Sequence, residues 1–160
     1  MLALEIGLDR NALLVSHTRR YVQRVLECLT DDTELVQRGA LAVHELLENG
    51  AKYAPVGARI DLSLALEGGT DASLVIRLTN PTSANHIDRL RQYVSEIQGA
   101  ADPNALYIEM MCRNPFDDTV SGLGLARIRA EADMLLDLQV AAETTTIVAR
   151  AAAPQVTQTA

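Results

Sequence analysis

The chain has 160 residues, of which 48% are hydrophobic and 22% charged, and its formal net charge is −7. This composition is typical of a globular protein, and the length predicts one domain, residues 1–152, followed by a disordered tail, residues 153–160. The negative charge and an aromatic content of 3% argue against nucleic acid as a partner, because phosphate backbones are repelled and few rings are present to stack on bases.

Membrane insertion and export are also disfavoured by the sequence. No apolar run approaches the roughly 18 residues of a membrane span, and the first residues are acidic where a signal peptide is basic. Cys28 and Cys112 lack metal-ligand spacing and lie in apolar surroundings, so we expect two reduced, buried thiols. These features predict a cytoplasmic protein without a membrane partner.

The first half of the chain predicts a strand, two helices and a hairpin. Residues 2–8 can form a short strand, and apolar residues at helical spacing predict a helix from Ala12 to Leu29. The sequence TDDT then breaks the helix and supplies the N-cap of a second one, from about Glu34 to Tyr53, which ends at APVG. Residues 58–67 and 73–80 alternate in polarity on either side of GGTD and predict a hairpin.

The second half predicts three helices followed by two strands. A helix from about Ile87 to Gln98 precedes another that begins near Pro103 and runs to residue 113. Residues 114–120 read as a loop, a glycine stretch opens the next helix, and residues 135–143 and 145–153 predict closing strands. Since each element has one apolar face, we expect a two-layer α/β sandwich, with a mixed, mainly antiparallel sheet and helices packed on one face.

The second predicted helix carries an unusual polar stripe. In the stretch HELLENGAKYA, a helix of about 100° per residue brings Glu45, Asn49 and Lys52 within roughly 40° of one another. The predicted apolar face of the same helix contains Val43, Leu46, Leu47, Gly50 and Ala54. Spacing alone fits either a solvated stripe or a set of side chains presented for chemistry.

A second stretch places glycines at the start of a helix. Free backbone N–H groups and the positive end of a helix dipole attract phosphate there, and the residues concerned are Ser121, Gly122, Leu123, Gly124 and Leu125. Arg127 replaces the third glycine of a dinucleotide-binding fingerprint, and the chain lacks the Gly-Lys-Ser/Thr triplet of a P-loop. Both of these common nucleotide motifs are therefore excluded.

Together, the two stretches resemble the nucleotide site of the GHKL ATPase superfamily, whose Bergerat fold occurs in histidine-kinase-like ATPase domains. ELLENGAKYA resembles the N box of that superfamily, and SGLGLARIRAEA resembles its second glycine box. The resemblance extends from Ala12 to Arg150. Two helices before the N box and the same strands after it are most similar to the anti-sigma-factor serine/threonine kinase branch.

This resemblance implies a site for ATP and Mg²⁺. Glu45 would orient or deprotonate the attacking group, Asn49 would bind Mg²⁺, and Lys52 would lie near phosphate. Residues 121–125 would hold the phosphates through their backbone. Asn80, in LTNPTSANH, stands where the family has the Asp that binds adenine, and the glycines of that Asp-x-Gly-x-Gly box are replaced.

The implied function is that of a cytoplasmic regulatory protein in a partner-switching signalling system. Such a protein phosphorylates or sequesters a small antagonist-type regulatory protein, and a homodimer is compatible with this role. The altered adenine box favours an alternative, a non-catalytic protein-interaction module with the same fold. A third alternative, a free-standing histidine kinase core, has no phospho-acceptor motif in the sequence to support it.

Overall fold

The computed structural model describes residues 3–67, 73–113 and 122–151. Its elements agree with the predicted order. The strands are β1 (Ala3–Asp9), β2 (Arg59–Glu67), β3 (Ser73–Pro81), β4 (Met134–Ala141) and β5 (Thr144–Ala151). The helices are α1 (Ala12–Leu29), α2 (Thr33–Tyr53), α3 (Ala84–Gly99), α4 (Pro103–Arg113) and α5 (Leu123–Ala130).

The strands form one sheet in the order β1-β2-β3-β5-β4. All of its pairings are antiparallel, so the expectation of a mixed sheet is corrected on this point. A single helix between neighbouring strands favours a parallel pair. Two helices, α1 and α2, connect β1 to β2, so β2 runs in the direction opposite to β1. The predicted hairpins are present as β2–β3 and β4–β5.

The core lies between one face of the sheet and the helices, which confirms the two-layer α/β sandwich. The predicted apolar face of α2 is buried, as are alternate residues of β2, namely Ile60, Leu62 and Leu64. The opposite face of the sheet is mixed: Arg77 and Arg150 both bind Glu67, at 2.8 and 3.0 Å, and the buried side chains of Val75 and Val148 lie beside them. The apolar core is thus on the side facing the helices, and the other side carries a charged cluster over two buried valines.

Helix α2 lies at the centre of the helical layer, and local chemistry fixes its ends. The Asp32 side chain accepts a hydrogen bond from the Leu35 N–H at 3.0 Å, as the predicted N-cap should. The helix ends before Pro55, and Gly57 takes a positive φ of 78° in the following turn. These two ends set the length of α2, and its apolar stripe decides which residues face the sheet.

The expectation of buried thiols is wrong for both cysteines. Cys28 and Cys112 are free and exposed. The buried positions of α1, from Val15 to Leu26, lie on the side opposite Cys28, and α4 buries none of its residues. An apolar local sequence does not decide which side of a helix meets the core.

Several predictions concern residues that the structure does not describe. They are the GGTD turn, the loop at residues 114–120, Ser121 and the tail at residues 153–160. The single-domain organisation remains a prediction. Among the helices in the described ranges, none combines the length and apolar character that crossing a membrane requires.

Candidate functional site

The polar stripe of α2 and the glycine stretch meet at one cavity of about 270 Å³. Three helices line the cavity, which is open to solvent on one side. Its lining residues are His44, Glu45, Glu48, Asn49, Lys52 and Tyr53 from α2, Tyr107 from α4, and Leu123, Gly124 and Arg127 from α5. The structure thus brings together Glu45, Asn49, Lys52, Leu123 and Gly124, which the sequence places in two separate segments.

Glu45 is the buried acid of this cavity. Its side chain is only 9% exposed, and its Oε1 accepts a hydrogen bond from Arg127 Nη1 at 2.9 Å. Burial raises the pKa of Glu45, and the hydrogen bond and charge of Arg127 oppose that rise without cancelling it. A buried carboxylate with a raised pKa beside a cavity is a stronger base than an exposed one and is suited to accept a proton from a bound group.

Asn49 and Lys52 complete the stripe one and two turns along the helix. Asn49 is half-buried, while Lys52 is exposed and places its Nζ 5.4 Å from the centre of the Tyr53 ring. No cluster of three His, Cys, Asp or Glu side chains in the described ranges could hold a metal ion by itself. Mg²⁺ commonly takes one or two protein oxygens plus phosphate oxygens and waters, so an amide at this position fits a nucleotide-bound ion.

The two glycines at the start of α5 are required by different contacts. A Cβ on Gly124 would lie 2.6 Å from Glu45 Oε2, and a Cβ on Gly122 would lie 2.5 Å from the Tyr93 ring. The N-cap of α5 is Gly122, and within the described residues no side chain caps the helix, so its first N–H groups lack the partners that a helix interior provides. Gly124 and Leu123 line the main cavity, whereas Gly122 and Leu125 line a smaller one beside α3.

Asn80 lies away from the main cavity, and its amide group already has partners. Its Nδ2 donates to Pro81 O at 2.8 Å and to Thr82 Oγ1 at 3.1 Å, and Thr82 Oγ1 is 2.7 Å from Thr145 Oγ1. The adjoining cavity has a volume of about 10 Å³, which accommodates about one water molecule. The region matching the adenine half of the resemblance is therefore filled by the protein's own side chains.

Tyr53 and Asn49 form the wall between the main cavity and the region around Asn80. Both residues line the main cavity, the cavity beside α3 and the cavity at Asn80. The Tyr53 ring packs against His86, with centroids 3.8 Å apart at an angle of 37°. The regions around Asn49 and Asn80 are therefore adjacent and are separated by these side chains of α2.

Arg127 and His44 are among the lining residues of the site that sequence reasoning missed. Arg127 was used only to exclude a dinucleotide fingerprint, yet it forms the ion pair with Glu45. His44 also lines the cavity, with its Nε2 3.3 Å from Glu48 Oε1 and its Nδ1 buried without a partner among the described residues. Steps of four residues through His44, Glu48 and Lys52 were a signal that could have placed it.

Comparison with known proteins supports the fold only. No protein-family model matches the chain, and no curated protein matches it. A chain in the crystal structure of the SiaB-SiaC complex from Pseudomonas aeruginosa is similar, with a TM-score of 0.66 and 13% sequence identity over 92% of this chain and 88% of that chain. At this identity the similarity shows a shared fold alone, and the resemblance to the GHKL superfamily rests on the sequence motifs.

Proposed function

We propose that this protein is a signalling regulator that binds ATP·Mg²⁺ in a GHKL-type site and acts as a serine/threonine kinase on a protein partner. The observation that supports this most directly is the convergence of Glu45, Asn49 and Lys52 with the start of α5 on one cavity. These side chains supply a base, an oxygen ligand and a cation, and the helix start supplies backbone donors for phosphate.

In the proposed reaction, the residues mainly position and stabilise charge. The hydroxyl oxygen of the partner forms a bond to the γ-phosphorus, and the bond from that phosphorus to the leaving ADP oxygen breaks. Glu45 takes the hydroxyl proton, while Lys52 and the N–H groups of α5 interact with phosphate oxygens. Asn49 holds the ion that accompanies the nucleotide.

The proposed partner is a small antagonist-type regulatory protein, in a cytoplasmic partner-switching system. The structurally similar chain comes from a complex of two proteins, SiaB and SiaC, and this supports a role that depends on protein association. Phosphorylation and sequestration of the partner are the two actions proposed for such a system.

Calorimetric titration with ATP and Mg²⁺ tests the proposed site. Wild type should bind, and Asn49→Ala should lose Mg²⁺-dependent binding because an amide oxygen ligand is gone. The matched control is Asn104→Ala, which removes an exposed amide on α4 that does not line the cavity. A folded wild type that fails to bind ATP at millimolar concentration would refute the nucleotide-binding proposal.

A second proposed function is a protein-interaction module without turnover. The observation that favours it is at Asn80, whose amide is used internally beside a cavity with room for one water. In that case the partner binds with the same affinity whether or not ATP is present. ATP-dependent labelling of the partner, abolished by Glu45→Gln, would decide for the kinase.

A further inference from the structure

Arg127 holds two carboxylates at once on the wall of the cavity. Its Nη1 donates to Glu45 Oε1 at 2.9 Å, and its Nε donates to Glu131 Oε2 at 2.9 Å. Glu131 directly follows α5, and its side chain is 41% exposed, whereas that of Glu45 is buried. The guanidinium therefore stands between a solvated acid outside and a buried acid inside.

The contact with Glu45 is open to competition. Arg127 is 39% exposed and lines the cavity, so an anion in the cavity can reach its guanidinium. A phosphate group carries more charge than one carboxylate and can accept two parallel N–H bonds from arginine. Glu45 Oε2, meanwhile, lies against Gly124 and leaves no space there for a side chain.

The charges of the cavity also disfavour anion binding while the pair is closed. Its lining contains the acids Glu45 and Glu48 and the cations Lys52 and Arg127. With Arg127 engaged by Glu45, Lys52 is the remaining Lys or Arg among the described lining residues. Opening the pair supplies a second cation to an incoming anion.

We propose that Arg127 is an anion-binding residue that exchanges partners, bound to Glu45 in the empty site and to a phosphate group of the ligand in the occupied one. This inference rests on the proposed function, since it concerns the regulation of the same site. When phosphate arrives, Arg127 leaves Glu45 and binds the phosphate. Glu45 is therefore free to act as a base only when the group to be transferred is present.

A double-mutant cycle with pyrophosphate as the probe tests the exchange. Glu45→Gln should tighten pyrophosphate binding about 10-fold, because it weakens the competitor for Arg127, and Arg127→Met should weaken binding about 10-fold. The double variant should bind as weakly as Arg127→Met alone. Two controls accompany the cycle. Glu48→Gln removes a cavity acid whose ion pair is with His44, so it should change binding by the same factor with and without Arg127. Arg129→Met removes a cation of α5 that does not line the cavity, so it should leave binding unchanged.

The cycle also separates the exchange from general electrostatics. If Glu45 acted only by repelling anions, Glu45→Gln would tighten binding equally in the presence and absence of Arg127, and this additive result would overturn the proposal. Arg127→Met alone leaves the buried Glu45 carboxylate without a cation, and this can disturb the site. The affinities of Glu45→Gln and of the double variant for pyrophosphate give the contribution of Arg127 without that carboxylate.

Parallel titrations with ATP·Mg²⁺ distinguish the two proposals. A non-additive cycle with pyrophosphate, combined with no ATP binding, would support the exchange and refute the nucleotide function. Absence of binding of either anion to both wild type and Glu45→Gln would overturn the exchange. Non-additive cycles with both ligands would support the exchange at the proposed ATP site.

Discussion

Replacing Glu45 by Gln tests whether burial or the Arg127 contact has the larger effect on the pKa of the Glu45 carboxyl. Burial raises its pKa, Arg127 lowers it, and burial is the larger effect. The folded protein therefore keeps the Glu45 proton at pH values where the unfolded chain has lost it. The contribution of this group to stability is complete below the unfolded pKa, near 4.5, and is lost as the pH rises through the folded pKa.

The substituted amide has no proton to lose, so the free energy of unfolding of Glu45→Gln minus that of wild type should increase with pH across this window. A single proton gives a slope of at most about 1.4 kcal/mol per pH unit. The ion pair opposes the gain only weakly: Arg127 is 39% exposed, and screened pairs of this kind contribute less than about 1 kcal/mol. We therefore expect the variant to be at least as stable as wild type at neutral pH.

Urea unfolding followed by far-ultraviolet circular dichroism, from about pH 4 to about pH 8, measures this difference. Glu48→Gln, which removes an exposed acid from the same helix, shows what any loss of negative charge on α2 does. A difference between Glu45→Gln and wild type that stays constant with pH, or decreases as pH rises, would refute the reasoning. A decrease would mean that Arg127 outweighs burial.

Three further substitutions test packing, the site and acid stability. Gly39→Ala places a Cβ 2.8 Å from leucine side chains of α1 and β3, so urea unfolding should show a net loss of stability: overpacking costs about 1–3 kcal/mol against about 1 kcal/mol gained in helix propensity. Gly124→Ala places a Cβ 2.6 Å from Glu45 Oε2 and should weaken ATP·Mg²⁺ binding at least about 10-fold in calorimetry. The circular dichroism spectrum should stay unchanged, and undiminished affinity would count against the site. Burial lowers the pKa of His86 below 6.5, so wild type should lose stability as the pH falls below that value. His86→Phe keeps a ring against Tyr53 and should reduce this loss in thermal unfolding, and an identical acid response in both proteins would contradict the assignment.

The secondary structure was predictable because its signals are local. Periodic apolar residues and the Asp32 cap define α2, and alternation defines β2 and β3. The packed arrangement of these elements was less accessible to such reasoning. Strand direction between β1 and β2 depends on how two intervening helices return the chain, and this is a tertiary property.

The site was predictable only in so far as its residues share a helix or a motif. Glu45, Asn49 and Lys52 lie on one face of α2, so spacing alone brings them together. The Glu45–Arg127 contact joins residues 82 positions apart and depends on how α5 packs against α2. No periodicity in the sequence encodes that distance, which explains why Arg127 was missed.

The Glu45–Arg127 pair is also a poor solution if stability were its only role. A buried acid loses solvation that a half-exposed arginine restores only in part, and apolar side chains of similar size often serve a protein core as well or better. The pair lies on a cavity wall, where an anion can replace one partner, and beside Gly124, where any side chain would displace the acid. A contact that is costly when closed and accessible to a competitor is suited to being opened by a ligand. The burial of Glu45 and the proposed exchange therefore involve the same ion pair, and at this pair the stability of the protein is coupled to phosphate binding.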